Sequence, residues 1–185
     1  MRLFAAVPVP PPAREVLGAL LDDLRALDWP VRWVRSEAVH LTLKFFGEVP
    51  ADRLAPIADA LRDAVRGTGP LPLTLTGLGT FPAPRRTRVL WVGLDAPPAL
   101  ELLQDRVERA CVPLGFPVEG APFRPHLTIG RVKDGGKLSP PALKRLREET
   151  LEERFLAEQV VLFESETGRG GSIYHARVTL PLEAA

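Results

Sequence analysis

One short pattern, a histidine and a threonine alternating with apolar residues, occurs in each half of the chain. It reads His40-Leu41-Thr42-Leu43 in the first half and His126-Leu127-Thr128-Ile129 in the second. Because successive side chains of a β-strand point to opposite faces, each segment predicts a strand with a buried apolar face and a polar face carrying histidine and threonine. The fold must therefore cover two apolar faces and leave two similar polar faces available.

The elements around the two patterns follow a similar order in both halves, reading strand, helix, strand, helix or helical turn, strand. Hydrophobic periodicity and turn residues predict strands at 2–7, 31–34, 39–46, 71–78, 87–94, 126–132, 155–164 and 173–180. Helices are predicted at 13–27, 51–65, 98–112 and 141–150, and a glycine-rich turn at 168–171. We therefore predict an α+β fold in which residues 1–185 form one bilobal domain, with two mainly antiparallel sheets facing a central cleft and helices outside.

Composition excludes several classes of protein. Hydrophobic residues at 45% and charged residues at 25% are typical of a globular chain and not of a disordered one. No apolar run reaches the roughly 18 residues of a membrane span, so we expect a cytoplasmic monomer without membrane contact. The single Cys111 excludes an internal disulfide and predicts a buried, inert thiol. A net charge of +1 is too small to hold long nucleic acid by charge alone, which leaves a short nucleic-acid end open.

The two polar faces carry a recognisable set of chemical groups. If the lobes are related by a pseudo-two-fold axis, two imidazoles and two hydroxyls meet across one groove, and this set suits a tetrahedral anion. Facing imidazoles near neutral pH often hold one proton between them, so one acts as a base and the other as an acid. This pair suits in-line phosphodiester cleavage without metal, while Thr42 and Thr128 would hold the nonbridging oxygens.

Two other interpretations of the histidine pair remain open from the residues alone. The imidazoles could be zinc ligands, although a third donor would have to come from elsewhere in the chain. They could also be structural, with hydrogen bonds to the backbone in a tight interface. The third histidine, His175, lacks the threonine pattern, and we interpret it as structural.

Longer segments around both patterns resemble those of a known family. The matching segments are Arg2–Ala6, Val39–Glu48, Arg88–Gly93 and Phe123–Arg131. With them the chain resembles the 2H phosphoesterase superfamily, and within it the RNA 2′,3′-cyclic phosphodiesterases, also called 2′-5′ RNA ligases. The resemblance implies hydrolysis of RNA 2′,3′-cyclic ends to 2′-phosphomonoesters without a cofactor, in a bilobal fold. It makes His40 the proton donor to the departing 3′ oxygen and His126 the proton acceptor that activates water.

Contacts to the substrate are also implied by the resemblance, which puts Phe45 and Arg131 beside the nucleotide. Strict alternation would turn both away from the histidine face, so this placement requires a strand end, a bulge or a twist. Lys44 shares the parity of His40, so it could approach the phosphate or lie as a solvated lysine at the rim of the groove. A dense basic run is a further candidate for contact with the RNA backbone, and it consists of Arg85, Arg86 and Arg88.

Three functions follow from these residues. The first is the cyclic phosphodiesterase, for which an RNA with a 2′,3′-cyclic phosphate end is the partner, and attack on that end by an RNA 5′-hydroxyl instead of water would give reversible 2′-5′ ligation. The second is the same chemistry on a small cyclic nucleotide. The third is a protein that binds RNA ends with little turnover.

Overall fold

Nine strands and four α-helices are found in the part of the chain that the computed structural model describes, residues 1–168 and 171–185. The strands are β1 (Arg2–Pro8), β2 (Val31–Trp33), β3 (His40–Glu48), β4 (Leu71–Phe81), β5 (Val89–Asp95), β6 (His126–Val132), β7 (Arg154–Ala157), β8 (Gln159–Gly168) and β9 (Gly171–Pro181). The helices are α1 (Pro11–Arg25), α2 (Leu54–Val65), α3 (Pro98–Cys111) and α4 (Pro140–Glu148). The predicted α+β class is confirmed.

The strands form one antiparallel sheet in the order β7-β4-β5-β6-β3-β1-β8-β9, and β2 pairs with β6 as a branch. The two strands that carry the histidines, β3 and β6, lie at the centre of this order. They pair only through Leu41 and Leu127 within the described residues. The two predicted sheets are therefore two halves of one sheet that meet at this seam.

The two halves of the sheet do not correspond to the two halves of the sequence. β4 and β5 come from the first half of the sequence but lie in the half of the sheet that contains β6. β8 and β9 come from the end of the chain but extend the half that contains β3. The predicted strand 155–164 is divided at Glu158 into β7 and β8, which pair in opposite halves of the sheet. The similar order of elements in the two sequence halves therefore does not divide the sheet at the same place, because local periodicity specifies a strand but not its partner.

The four helices cover the sheet with their apolar faces. Prolines occupy the first turn of α1, α3 and α4, where their missing N–H is no loss. α1 contacts β7 and α4 contacts β4, while α2 and α3 pack on each other and on β9 and β3. None of the helices in residues 1–168 and 171–185 is long and apolar enough to cross a membrane.

Two smaller predictions concern Cys111 and the glycine-rich turn. The Cys111 thiol is fully buried, and this burial raises its pKa to about 11, as predicted for an inert thiol.

β8 and β9 pair as far as Gly168 and Gly171. The turn predicted between these glycines contains Arg169 and Gly170, which lie outside the described residues.

Candidate active site

A β-bulge interrupts both histidine strands at the same position of the pattern. In β3, Thr42 pairs with Ala6 and Lys44 with Ala5, so Leu43 is the extra residue. In β6, Thr128 pairs with Trp91 and Gly130 with Leu90, which makes Ile129 the extra residue. Each bulge reverses the alternation of side chains after the threonine. The fifth residue after each histidine therefore returns to the histidine face.

The histidine faces of β3 and β6 line one cleft of about 390 Å³. Its described lining contains six of the seven predicted site residues, His40, Thr42, Phe45, His126, Thr128 and Arg131. Of these, Phe45 and Arg131 reach the cleft because of the two bulges. A bulge was one of the departures from strict alternation that their expected place beside the nucleotide required. The seam between Leu41 and Leu127 holds the two polar faces side by side.

The two histidine rings are oriented by the same backbone device. His40 Nδ1 lies 2.7 Å from the carbonyl oxygen of Ala38, and His126 Nδ1 lies 2.6 Å from that of Arg124. A carbonyl oxygen can only accept a hydrogen bond, so Nδ1 of each ring donates its proton. Each Nε2 is consequently the nitrogen available to take up or release a proton.

Aromatic side chains surround the His40 ring on several sides. The Phe4 ring lies 4.7 Å from it between centroids at an interplanar angle of 31°, and the Tyr174 ring approaches edge-on at 5.2 Å. Burial lowers the pKa of His40 below its ordinary value of 6.5, and the nearby charge of His126 acts in the same direction, against the hydrogen bond to Ala38. His40 is thus a ring that resists protonation while the cleft holds no anion.

The second ring, His126, has a different aromatic environment. Phe81 approaches it edge-on at 5.1 Å between centroids and 90°, and Trp91 lies 6.4 Å away. Both aromatic residues come from the β4–β5 pair, whereas those around His40 come from β1, β8 and β9. Each histidine is therefore supported by its own half of the sheet.

Lys44 does not lie where the sequence predicted. The bulge at Leu43 turns the Lys44 side chain into the protein interior, where it is 3% exposed. Its Nζ donates to Glu108 Oε2 at 2.5 Å and to the carbonyl oxygen of Pro117 at 3.0 Å. The expectation that Lys44 approaches the phosphate is therefore wrong, because strict alternation does not hold across a bulge.

Several lining residues were not identified from the sequence. They are Arg2, Phe4, Ser165, Ser172 and Tyr174. All of them come from β1, β8 and β9, which extend the sheet from β3 in that order, a tertiary arrangement that the local pattern does not report. The resemblance of Arg2–Ala6 to the family was the one available signal. The basic run Arg85, Arg86 and Arg88 does not line this cleft.

The cleft offers few donors for a metal ion. Within residues 1–168 and 171–185, no group of three histidine, cysteine or carboxylate side chains lies close enough together to hold one. The zinc interpretation would need such a third donor next to His40 and His126. The described side chains of the cleft are instead suited to an anion, because imidazole, hydroxyl and guanidinium groups can all donate hydrogen bonds.

Comparison with known proteins places these features in a family. Residues 8–169 match the family model described as the 2′-5′ RNA ligase superfamily. The chain is 38% identical over 133 residues to an RNA 2′,3′-cyclic phosphodiesterase of Methanothermobacter thermautotrophicus, covering 72% of each protein. It is 30% identical over 176 residues to the protein of that name from Methanocaldococcus jannaschii, covering 94% and 96%. The crystal structure of TT0787 from Thermus thermophilus superimposes with a TM-score of 0.84 at 26% identity, covering 100% of this chain and 99% of the other.

Proposed function

Since this chain belongs to the 2′-5′ RNA ligase superfamily, we propose that it hydrolyses the 2′,3′-cyclic phosphodiester at the end of an RNA to a 2′-phosphomonoester. The observation that carries the proposal is the pairing of two histidines in one cleft, each with Nδ1 engaged and Nε2 available. Relatives that carry the cyclic phosphodiesterase name support the choice of substrate.

In the proposed reaction, the two Nε2 atoms act on opposite sides of the phosphorus. His126 removes a proton from water, whose oxygen forms the new bond to phosphorus. The bond from phosphorus to the ribose 3′ oxygen breaks, and His40 donates a proton to that oxygen as it leaves. The hydroxyls of Thr42 and Thr128 bind the nonbridging oxygens, whose negative charge grows in the transition state. No metal takes part in this scheme.

The lowered pKa of His40 has a direct consequence for the proton donor. A donor must be protonated when the substrate is bound, and burial opposes this in the free protein. A bound phosphate anion near the ring favours the charged imidazole and raises its pKa. The substrate thus promotes the protonation state that its own cleavage requires, while the proton is held weakly enough to be given up readily.

Phe45 and Arg131 are the proposed contacts to the terminal nucleoside. Phe45 is 55% exposed at the cleft, which is unusual for a phenylalanine and leaves its ring available for stacking on a base. The Arg131 guanidinium can stack on a base or bind a phosphate oxygen. If the 5′-hydroxyl of a second RNA replaces water as the nucleophile, the product has a 2′-5′ linkage: His126 removes the hydroxyl proton and His40 protonates the departing 3′ oxygen, and the two histidines exchange these roles only when that linkage is cleaved back to the cyclic end.

The direct test is to incubate a short RNA with a 2′,3′-cyclic end with the protein in EDTA and to identify the product by chromatography against authentic 2′- and 3′-phosphomonoester standards. We expect a 2′-phosphate from the wild type and almost none from His40→Ala or His126→Ala. His175→Ala is the matched control, because His175 lies outside the cleft in an exposed pair with Glu166 at 3.3 Å. This variant should retain full activity.

Other outcomes would revise the proposal in different ways. A 3′-phosphate product would mean that the 2′ oxygen leaves. Activity in magnesium that disappears in EDTA would indicate a metal-dependent reaction. RNA that binds to the wild type and to His40→Ala equally well and stays uncleaved in both would identify a protein that binds RNA ends.

A further inference from the structure

A second, larger groove continues from the cleft. It has a volume of about 680 Å³ and shares Val34, Ala38, Arg131, Ser172 and Tyr174 with the cleft. We call it the outer groove, and its further described lining residues are Arg32, Trp33, Arg35, Thr167, Gly168 and Gly171. Small-molecule sites usually occupy about 300–1,000 Å³, so the cleft alone is of that size and the outer groove adds comparable space.

The charges along this path have one sign. Arg2 lies on the cleft, Arg131 lies where the two volumes meet, and Arg32 and Arg35 line the outer groove. No aspartate or glutamate is found among the described residues that line either volume. The whole chain has a formal net charge of only +1, so these arginines are a local concentration of charge. Such a path favours a chain of anionic groups over a neutral ligand.

Arg32 and Arg131 are especially informative, because they are directly opposite each other on β2 and β6. Like charges in this position destabilise a sheet. Both side chains are exposed, and neither belongs to the arginines that form ion pairs with carboxylates in residues 1–168 and 171–185. A phosphate between them would offset the repulsion by accepting hydrogen bonds from both guanidinium groups.

We propose that the outer groove binds the RNA strand on the 5′ side of the terminal nucleotide, and that Arg32 and Arg131 together hold the first phosphate of that strand. This inference rests on the proposed function, since the cyclic end must occupy the cleft. It makes the preferred substrate an oligonucleotide and not a cyclic mononucleotide. Arg32 is then a residue that determines specificity for the length of the substrate without contacting the reacting phosphate.

The test compares three substrates that share the same cyclic end. They are uridine 2′,3′-cyclic phosphate, the same nucleotide with a 5′-phosphate, and the dinucleotide UpU with a 2′,3′-cyclic phosphate. For the wild type we expect kcat/KM to rise roughly tenfold on adding the 5′-phosphate, the effect of a hydrogen-bonded charge pair, and to rise again for the dinucleotide. Arg32→Ala should remove most of the first gain and leave kcat/KM for the mononucleotide nearly unchanged.

Two further variants separate a specific contact from a general effect of charge. Arg147→Ala removes the same charge from an exposed position on α4 outside both volumes, and it should not change the preference for the longer substrates. Arg32→Lys should restore part of that preference, because it keeps the charge but loses the planar fork of donors. The melting temperature of Arg32→Ala should equal or exceed that of the wild type, since the repulsion from Arg131 is removed.

The outcomes distinguish failure of this inference from failure of the proposed function. Equal kcat/KM for all three substrates would overturn the inference and leave the phosphodiesterase intact. Equal losses in Arg32→Ala and Arg147→Ala would overturn it as well, because only net charge would then matter. If none of the three substrates is hydrolysed, the proposed function fails and this inference falls with it. An effect of Arg32→Ala on ligation alone would assign the outer groove to the 5′-hydroxyl strand and would also overturn it.

Discussion

The two histidine strands, β3 and β6, are built alike where the proposed chemistry needs them to be and differ in the residues around it. Both orient the imidazole through the carbonyl two residues earlier, and both return the fifth residue to the cleft with a bulge. They differ directly after the extra residue of the bulge, where β3 has the buried Lys44 and β6 has Gly130. The histidine and threonine pattern is therefore shared in the cleft, while behind the sheet the two strands differ.

The difference behind the sheet reflects what each strand packs against. Lys44 lies against α3, where its partner Glu108 is likewise buried. Glu108 also receives hydrogen bonds from Gln104 and from the backbone N–H of Glu119. Gly130 lies against β2, and a Cβ atom there would come within 2.6 Å of Val31 Cγ1. The two strands thus present the same histidine and threonine pattern to the cleft, although β3 packs against helix α3 and β6 pairs with the additional strand β2.

The largest expected effect is the loss of activity when either histidine is replaced, and it can show whether the two histidines have different roles. His40→Ala and His126→Ala should each lower kcat/KM by roughly 10²- to 10⁴-fold on an ordinary cyclic phosphate. A substrate with sulfur in place of the bridging 3′ oxygen has a leaving group that needs no proton, because a thiol is far more acidic than an alcohol. His40→Ala should regain most of its activity on this substrate, whereas His126→Ala should not. Steady-state rates for both variants on both substrates check this.

The opposite pattern, with recovery in His126→Ala, would reverse the two proposed roles. Recovery in neither variant would indicate that His40 contributes mainly by binding the phosphate. The wild type should gain little from the sulfur, and His175→Ala should behave as the wild type on both substrates.

The next effect concerns stability and the buried residue that distinguishes β3. Lys44→Ala leaves the Glu108 carboxylate buried without its main partner, and this should lower the free energy of unfolding by about 3–5 kcal/mol. Replacing both partners by apolar residues, Lys44→Met with Glu108→Leu, should cost less than Lys44→Ala alone. Urea denaturation followed by tryptophan fluorescence measures both values. A double variant less stable than Lys44→Ala would contradict this explanation.

A smaller effect tests the two threonines, which occupy equivalent positions in the cleft. Thr42→Val and Thr128→Val keep the size and branching of the side chain but remove the hydroxyl donor. We expect each to lower kcat/KM by roughly 10- to 100-fold, through loss of a hydrogen bond to a nonbridging oxygen. Thr→Ser at either position should retain most of the activity. A variant lacking either hydroxyl that reacts at the wild-type rate would remove that threonine from the mechanism.

The strands themselves were predictable because they depend on local alternation, and β6 was predicted with its observed bounds, 126–132. The placement of Lys44 was not, because it depends on a bulge that is set by pairing with β1. The same limit explains why Tyr174 was missed, since its strand is the last in the chain and reaches the cleft through β8 and β1. Chemistry within one strand can be inferred from sequence, whereas contributions from paired strands require the tertiary structure.

The smallest expected effect sharpens the comparison of the two rings through the pKa of His40. In an NMR titration of the free protein, His40 should have a midpoint below 6.5, and its midpoint should rise only in part in His126→Gln, because burial is the larger cause and the charge of His126 a smaller one. A His40 midpoint at or above 6.5 in the free protein would contradict the burial argument.

The same shift has a definite sign in the kinetics. If His40 is the donor, activity falls as the pH rises through its pKa, since a neutral imidazole has no proton to give. The corresponding limb of the kcat/KM profile reports the free protein and should lie below pH 6.5, whereas that of the kcat profile reports the complex and should move to higher pH with the bound anion. Removing Arg32 should leave the first limb in place, because that guanidinium lies on the outer groove, whereas the pKa of His40 is lowered by burial and, less, by the charge of His126. If this limb lay at the same pH in the kcat/KM and the kcat profiles, the bound substrate anion would not change the pKa of the proton donor. His40 would then not be the donor, and His126 on the other strand would be the candidate.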